Sequence, residues 1–440
     1  MRLFLVALAA FLPSLGGAFQ FDDYNVIVHY PPVHSWAGLA GDLGFRPLLK
    51  ASYALSWSLG LGAAGFLALN VAVHALNTVL VYALGRALCE RWAVAPGAAL
   101  AAALVFALHP VQVEAVSYVS GRSSSLMACF YLGALLAYVR GAPAAVSALL
   151  FAAALATKET AVTLPAALLL VELCRRERPS WRAIVRRQAA HWALLGVALV
   201  LLAASPRAAA LLAFAFEQRS LAEQLPTQAG GVAYLAGRLL GLQGASIDPA
   251  LPVAAGWNAV PAVQAALLAA LAALALAQLR PRPWLAFGVL WFFLQLAPTN
   301  SLVPRLDVAN DRQLYLAGWG LVLALAAQLA AAKLSRRAGA VAAGTVLAAL
   351  TAASVARQLE FRGEIALWAA EARRVPWNAR AHNNLGYAYR AAGRFDEARG
   401  AFETALRFDP AFDKARFNLL LLPPACHGSS PPPASSPCSR

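Results

Sequence analysis

Apolar runs separated by short polar connections occupy the first 356 residues of the chain. They lie at about residues 3–19, 64–85, 97–113, 124–139, 143–157, 161–174, 190–206, 258–279, 284–296, 314–332 and 338–356. A helix of about 20 apolar residues crosses a bilayer, and the shorter Ala-rich runs leave room for re-entrant segments. The pattern predicts an all-α, polytopic membrane bundle of about 11 spans. Three tryptophans near span ends, Trp257, Trp291 and Trp319, are predicted interface anchors.

The composition is that of a membrane protein rather than of a soluble globule. Hydrophobic residues make up 60% of the 440-residue chain and charged residues 13%, whereas soluble domains carry about a quarter charged residues. The net charge is +15, but the basic residues stand in short clusters between apolar runs, as topology signals do. This distribution disfavours nucleic-acid binding. The five cysteines have no metal-site or redox spacing.

The basic clusters orient the predicted spans, because cytoplasmic connections are enriched in Lys and Arg. With Arg2 in the cytoplasm, the inside connections contain Arg86, Arg91, Arg140, the block Arg175–Arg187, Arg280, Arg282, Lys333, Arg336 and Arg337. The outside connections then contain most of the carboxylates that precede the C-terminal domain: Asp22, Asp23, Asp42, Glu114, Glu159, Glu217, Glu223, Asp248, Asp307 and Asp311. We therefore expect a cytoplasmic N-terminus and chemistry on the extracytoplasmic face.

The connection between the third and fourth runs carries more chemistry than a plain turn needs. Residues 109–123 include the imidazole of His109, the carboxylate of Glu114 and the guanidinium of Arg122. Ionisable groups at a membrane edge are costly to desolvate, so they indicate a functional site by default. A turn at Pro110 either brings His109 and Glu114 together or caps an interfacial helix.

The character of the chain changes after the last apolar run. Leu385, Gly386, Ala398, Phe402 and Pro410 have the spacing of a tetratricopeptide repeat, a pair of antiparallel helices. We therefore divide the chain into a membrane domain (1–356) with outer loops 20–63, 109–123, 207–257 and 297–313, a connecting helix (357–377), one repeat with the start of a second (378–422), and a Pro- and Ser-rich disordered tail (423–440).

Motifs in a fixed order along residues 20–410 resemble one known family. They are Phe21-Asp22-Asp23, Asn70–Asn77, Leu108-His109-Pro110 with Glu114 and Gly121-Arg122, Thr157-Lys158-Glu159-Thr160, Tyr234–Asp248, and Pro298–Leu302 followed by Asp311-Arg312. Together with the repeat they resemble the transmembrane and tetratricopeptide-repeat protein O-mannosyltransferases, of the GT-C glycosyltransferase superfamily. Asp311 stands where that family usually has Glu, and the repeat array is much shorter here.

The resemblance implies an inverting enzyme that transfers a sugar from a polyprenyl-phosphate carrier to a protein hydroxyl on the extracytoplasmic face. The characterised members are eukaryotic and use dolichyl-phosphate mannose. This Ala-, Arg- and Pro-rich chain looks bacterial, so we expect the inner membrane, mannose or another hexose, and undecaprenyl phosphate as carrier. The family also favours an uncleaved first span over a signal peptide, and an acceptor held by the outer loops and the repeat.

The same resemblance implies roles for particular side chains. Asp22 or Asp23 is the base that takes the acceptor proton, the other carboxylate orienting the pocket or holding a metal. The alternative for this pair is a helix cap. From the sequence itself, Arg122 is the first candidate clamp for the donor phosphate, because a guanidinium meets phosphate oxygens bidentately and a cation there stabilises the leaving group; Arg312 and Lys158 are the second and third candidates. Lys158 alternatively pairs with Glu159 or a lipid headgroup.

A second set of residues is predicted to support the site: His109, Glu114, Glu159, Asp248 and Asp311. Asp248 alternatively caps the chain before Pro249. No cofactor is indicated beyond the lipid-linked donor, and a divalent metal is left open because the spacing forms no metal motif. His74 and Asn77, three residues apart in a span, are predicted to join helices by hydrogen bonds. The alternative function is a non-catalytic membrane scaffold whose repeat recruits envelope proteins.

Overall fold

The computed structural model describes residues 1–175, 177, 180–332 and 336–424. Every regular element in these ranges is helical, which confirms the all-α prediction. Several predicted features lie outside the described residues: Arg176 and Arg178 of the basic block, Lys333, Cys426, Cys438 and the tail after residue 424.

The α-helices are numbered here in chain order. The first ten are α1 Arg2–Ala10, α2 Trp36–Ala40, α3 Pro47–Ser58, α4 Gly62–Trp92, α5 Gly97–Leu108, α6 Val113–Val116, α7 Arg122–Val139, α8 Ala144–Thr157, α9 Leu164–Leu173 and α10 Trp181–Ala203. The others are α11 Pro206–Gln218, α12 Leu221–Leu239, α13 Ala259–Ala277, α14 Pro283–Leu296, α15 Leu314–Ala331, α16 Arg336–Glu360, α17 Glu364–Arg374, α18 Ala379–Ala391, α19 Phe395–Phe408 and α20 Asp413–Leu420. Short 3₁₀ helices lie at Leu12–Gly16, Pro31–Val33, Pro110–Gln112, Val119–Gly121, Glu159–Thr163 and Asp311–Gln313, and a π-helix lies at Tyr24–Val28.

Six helices within the described ranges are long and apolar enough to cross a membrane. They are Gly62–Trp92, Val119–Val139, Trp181–Ala203, Ala259–Ala277, Asp311–Ala331 and Gly339–Glu360. A seventh is added if α5 and Pro110–Val116, which bend by 54°, form one broken span. Arg2–Gly16, Ala144–Thr157 and Pro283–Leu296 are apolar but shorter. A membrane protein is therefore supported, and the number of about 11 spans stays a prediction.

Close helix packing forms the centre of the bundle, where α4 packs on α5 and α7, and α14 packs on α15. Trp291 and Trp319 are fully buried there with ring centroids 5.4 Å apart. The prediction that these two tryptophans anchor the interface is therefore wrong. The reason is the contact between α14 and α15: Gly320 on α15 leaves room for the Trp291 ring, which a Cβ at that position would overlap.

The chain divides into two compact units, Met1–Gly363 and a second that begins at Glu364. The predicted connecting helix, residues 357–377, is split between the end of α16 and α17. In the second unit α18 and α19 pack as an antiparallel hairpin, with α17 and α20 on either side. Gly386 allows this close approach, because a Cβ there would lie 2.6 Å from the Phe402 ring.

Candidate functional site

The 109–123 connection folds as a chain of short turns rather than as one helix. His109 ends α5, and its Nδ1 accepts a hydrogen bond from the Val111 backbone while its Nε2 donates to the Leu239 carbonyl at 3.1 Å. At the other end, Gly121 sits so close to the Glu114 carbonyl that any side chain would overlap it. The two halves of the connection are therefore folded back on each other, which directs Ser123 and Ser124 into the wall of a cavity.

The two adjacent carboxylates predicted as the base, Asp22 and Asp23, have different environments in the structure. Asp23 is fully buried and accepts hydrogen bonds from the backbone of Gln20 at 2.9 Å and of Ser120 at 2.8 Å, as well as from the Ser120 hydroxyl. Burial raises the pKa of Asp23 to about 7, against the lowering effect of these hydrogen bonds. Asp22 is exposed and lines the cavity. Asp23 thus ties the first loop to the 109–123 connection, while Asp22 faces open space.

Unusual backbone surrounds Asp22. Phe21 has a left-handed conformation with φ +47°, which is rare for a bulky residue, and the π-helix Tyr24–Val28 follows directly. The Asp22 backbone N–H donates to the Tyr118 hydroxyl at 3.2 Å. Such strained conformations persist only where the surrounding structure enforces them, and they concentrate at functional sites.

The cavity beside Asp22 has a volume of about 400 Å³ and is named here the cationic cavity. Side chains from five separate segments line it, and most of them belong to connections predicted on one side of the membrane. Its charged residues are Asp22, Arg46, Lys158, Glu159, Arg305, Asp307 and Arg312. One wall is apolar and comes from α11, whose Leu211 and Phe214 are about half exposed. The cavity therefore joins a group of cations to an apolar surface.

Ion pairs hold two of these cations in place. Arg46 makes a two-pronged contact with Glu159, at 2.6 and 2.9 Å, and is itself in a left-handed conformation before Pro47. Arg312 pairs with the buried Glu114 at 2.7 Å and lies over the Tyr118 ring, 5.5 Å from its centroid. Planar guanidinium groups fixed in this way are suited to meeting phosphate oxygens.

Lys158 lies among the cations without a carboxylate at salt-bridge distance in the part of the chain that the structure describes. Its Nζ donates to the Ser124 hydroxyl at 2.8 Å. Burial, together with the charges of Arg46, Arg305 and Arg312, lowers the pKa of Lys158 to about 7. An anion bound in the cavity would favour the charged form of this amine. Lys158 is therefore poised to gain a proton when an anion enters.

A second cavity of about 350 Å³ adjoins the first and is named here the loop cavity. The two share Asp22, Arg46, Ser123 and Arg312. The rest of its wall comes mainly from the first loop and α3: Asn25, Val26, Tyr30, Phe45, Leu49, Lys50 and Tyr53, with Ser120 and Arg207. Its rim is held by Asp42, which accepts hydrogen bonds from Lys50 at 2.7 Å and from Tyr30. Asp22 thus stands where two cavities meet.

Arg122, the first predicted phosphate clamp, lies outside both cavity walls and is fully buried. All three of its nitrogens donate within the protein: Nε to Asn70 Oδ1 at 2.7 Å, and the terminal nitrogens to backbone and hydroxyl oxygens. These other acceptors are Ser52 O, Ser56 Oγ and Phe66 O. The guanidinium therefore ties α3, α4 and α7 together beneath the loop cavity.

The predicted supporting residues are spread around the site. Glu114 and Glu159 orient Arg312 and Arg46, whereas Asp311 is buried and paired with Arg238 at 2.6 Å. His109 is part of the turn that precedes Glu114, and Asp248 is buried in the segment after α12, where its N–H donates to Ser246. Among the described residues, no group of three or more His, Cys, Asp or Glu could hold a metal ion.

Sequence reasoning did not single out four cations of the site: Arg46, Lys50, Arg207 and Arg305. All four appear as scattered basic residues in predicted outer connections, where basic residues are disfavoured as topology signals. A basic residue in an outer connection was therefore the sequence signal that could have identified these cations. His74 and Asn77 do join helices as predicted, since both contact the Tyr315 hydroxyl at 2.9 Å.

Comparisons with known proteins agree with the repeat and with the resemblance to protein O-mannosyltransferases. The tetratricopeptide-repeat family matches residues 379–412, which confirms the predicted repeat. Protein O-mannosyl-transferase F38B6.6 of Caenorhabditis elegans is 30% identical over 152 residues, covering 31% of this chain and 22% of the relative. Protein O-mannosyl-transferase Tmtc2 of Drosophila melanogaster is 33% identical over 189 residues, covering 36% and 20%.

The human protein O-mannosyl-transferase TMTC4 is 31% identical over 163 residues, covering 31% of this chain and 22% of the relative. The matched stretch therefore spans about a fifth of the length of these curated relatives. No solved structure matches the chain significantly. The chain is thus similar to the protein O-mannosyl-transferases over about a third of its own length.

Proposed function

We propose that this chain is an integral-membrane glycosyltransferase that moves mannose or another hexose from a polyprenyl-phosphate carrier to a protein hydroxyl. The observation that carries the proposal is the cationic cavity, where separate connections place Lys158, Arg305 and Arg312 around Asp22. The names of the relatives support a protein O-mannosyltransferase. The carrier, the inverting course and the extracytoplasmic face belong to this proposal.

The cationic cavity fits the donor because it combines fixed cations with an apolar wall. The phosphate of the donor would contact Lys158, Arg305 and Arg312, while the polyprenyl chain would follow α11 past Leu211 and Phe214. Breaking the bond between sugar and phosphate concentrates negative charge on the phosphate oxygens. Cations held in place by the protein stabilise that charge more in the transition state than in the ground state, which accelerates the reaction.

The loop cavity fits the acceptor, since it meets the cationic cavity at Asp22. A peptide bound against Tyr30 and Phe45 would present its hydroxyl at the shared wall formed by Asp22 and Ser123. The hydroxyl oxygen attacks the anomeric carbon as the carbon–phosphate oxygen bond breaks on the opposite face. Asp22 takes the hydroxyl proton, and polyprenyl phosphate leaves. Asp23 acts as a positioning residue through Ser120 and Gln20.

The same proposal places the protein in a bacterial inner membrane with its N-terminus in the cytoplasm. The first loop and the 109–123 connection would then face outward, together with the repeat unit. That unit exposes Tyr387, Phe417 and Leu420, which suit contact with an acceptor protein. These exposed residues are also what a non-catalytic scaffold would require, so the enzyme test has to distinguish the two functions.

The test offers purified protein radiolabelled polyprenyl-phosphate mannose and a Ser/Thr peptide library in detergent or nanodiscs. Wild type is expected to label peptides, and Asp22→Asn is expected to lower the labelling rate by at least about 100-fold without loss of folded protein. Matching variants Glu217→Gln and Glu223→Gln remove outer carboxylates that line neither cavity and should label normally. If wild type transfers no sugar from any polyprenyl-phosphate hexose yet binds envelope proteins, the scaffold replaces the enzyme.

A further inference from the structure

A second group of charged residues lies at the far end of α7 from the candidate site. Helix α7 begins at Arg122, beside Ser123 and Ser124 of the cavity wall, and ends at Val139. Its 18 residues extend for about 27 Å at 1.5 Å per residue, close to the ~30 Å hydrocarbon thickness of a bilayer. The charged group therefore lies at the opposite membrane interface, where lipid headgroups are found.

A cavity of about 490 Å³ opens at this end, between the last turns of α4 and α7. Its wall consists of Arg86, Ala87, Glu90, Arg91, Val139 and Arg140. The only carboxylate in this wall, Glu90, pairs with Arg86 at 3.1 Å. Arg91 and Arg140 have no carboxylate within salt-bridge distance among the described residues. The wall thus carries an excess of positive charge beside the lipid-facing ends of two candidate spans.

Arg91 has a nitrogen that is not used by the protein. One terminal nitrogen donates to the Val139 carbonyl, which explains the position of the side chain as a cap on α7. The other terminal nitrogen is buried and has no hydrogen-bond partner in the described part of the chain. Buried donors are rarely left unmatched, so this one indicates a missing acceptor.

The surroundings add to the positive potential. Arg175 and Arg187 lie within electrostatic range of Arg91. They share the buried Glu172 at 2.9 and 3.0 Å, and Tyr138 donates to the same carboxylate. Five guanidinium groups therefore face two carboxylates, which leaves three positive charges unbalanced at a membrane edge. Glu172 with its two arginines forms the structural support behind the cavity.

We infer that this cavity binds the phosphate of an anionic phospholipid, with Arg91 and Arg140 as the contacting cations. A phosphodiester supplies the acceptor oxygens that the Arg91 guanidinium lacks, and its acyl chains would follow the exposed surfaces of α4 and α7. A zwitterionic lipid brings its own ammonium group, which the arginines would repel. The site is independent of sugar transfer, and anionic lipid bound there would hold two spans together at their ends.

The experiment measures lipid retention by native mass spectrometry of the full chain, with phosphatidylglycerol and phosphatidylcholine added at equal concentrations. Wild type is expected to retain phosphatidylglycerol preferentially. The double variant Arg91→Ala/Arg140→Ala should reduce that retention about tenfold, since each basic residue near an anionic surface contributes to binding. Arg280→Ala/Arg282→Ala is the matched control, because both arginines are exposed in the turn between α13 and α14.

Two further arms keep the inference open to refutation even if the double variant folds poorly. Glu90→Gln removes the one carboxylate of the wall and should increase phosphatidylglycerol retention. Millimolar inorganic phosphate should not displace the lipid, because a free anion lacks the acyl chains. Equal retention of both lipids by wild type, unchanged retention in Glu90→Gln, or full displacement by inorganic phosphate would each overturn the lipid site.

Discussion

The two ends of the α4–α7 pair carry similar numbers of arginines but use them differently. At the candidate-site end, Arg46 and Arg312 are each fixed by a carboxylate and their outer edges line a cavity. At the other end, Arg91 and Arg140 have no carboxylate partner among the described residues, and they lie around the C-terminus of a helix. Cations held by a carboxylate are suited to a transition state, whereas cations without a carboxylate partner are suited to a headgroup.

The difference shows that charge count alone does not distinguish a reaction site from a lipid contact. The two kinds of site are distinguished by an exposed carboxylate that is not paired with an arginine. Asp22 lines both cavities at one end, while Glu90 and Glu172 at the other end are already engaged by arginines. The predictions that follow test whether chemistry is confined to the Asp22 end.

The largest effect is expected for Asp22→Asn. The amide cannot accept the acceptor proton, so the transfer rate should fall by about 100- to 10,000-fold. The thermal midpoint should stay unchanged, because the side chain is exposed and the Tyr118 contact uses the backbone N–H. Rates from labelled donor and melting curves in detergent measure the two quantities. Near-normal transfer would remove Asp22 as the base.

Lys158→Ala should lower kcat/KM for the donor by about 100-fold, the usual loss for one fixed stabiliser of developing charge. Because the pKa of Lys158 is lowered to about 7, its charge is lost as the pH rises through 7. Donor kcat/KM should therefore fall above pH 7 in wild type. Lys158→Arg stays charged and should give a flatter profile over pH 6–9. A wild-type profile identical to that of the arginine variant would contradict this role.

The sequence predicted the parts of this site that follow from local pattern. Asp22, Lys158 and Arg312 flank apolar runs, and short connections that are predicted on one side of a membrane can converge. The burial of Arg122 could not be predicted from local pattern, since its acceptors Asn70 and Phe66 lie on another helix. Burial of Trp291 depends likewise on Gly320 across a helix contact. Pattern identifies which residues have chemistry, and packing decides which of them reach a cavity.

Arg122→Ala distinguishes a phosphate clamp from a structural tie. Loss of the guanidinium leaves acceptors on α3 and α4 unmatched in a buried position, so the free energy of unfolding should fall by at least about 3 kcal/mol. The Michaelis constant for the donor should stay near the wild-type value in the protein that remains folded. A stable variant with a greatly raised donor KM would instead show that Arg122 binds the donor phosphate.

Asp23→Asn should lower stability by about 1–3 kcal/mol, because its amide nitrogen would face a donor from Gln20 or Ser120. The pH dependence of the free energy of unfolding gives a second test of Asp23. The folded-state pKa of about 7 lies above the ordinary value of 3.8, so wild type should lose stability as the pH rises from about 4 to 7. The variant should have a smaller slope. Chemical denaturation at several pH values would reveal it, and equal slopes would show that Asp23 is not the titrating group.

The smallest effect on transfer is expected at the opposite end, for Glu172→Gln. Glu172 is fully buried and accepts from Tyr138, Arg175 and Arg187, so loss of its charge should lower the free energy of unfolding by about 1–2 kcal/mol. Both arginines are about one-third exposed and remain solvated, which limits the loss. Donor KM and turnover should stay within about twofold of wild type, because the bundle separates this carboxylate from Asp22 by about 27 Å of helix. A selective loss of transfer at unchanged stability would mean that the two ends are coupled, and the contrast between a reactive end and a lipid-binding end would no longer hold.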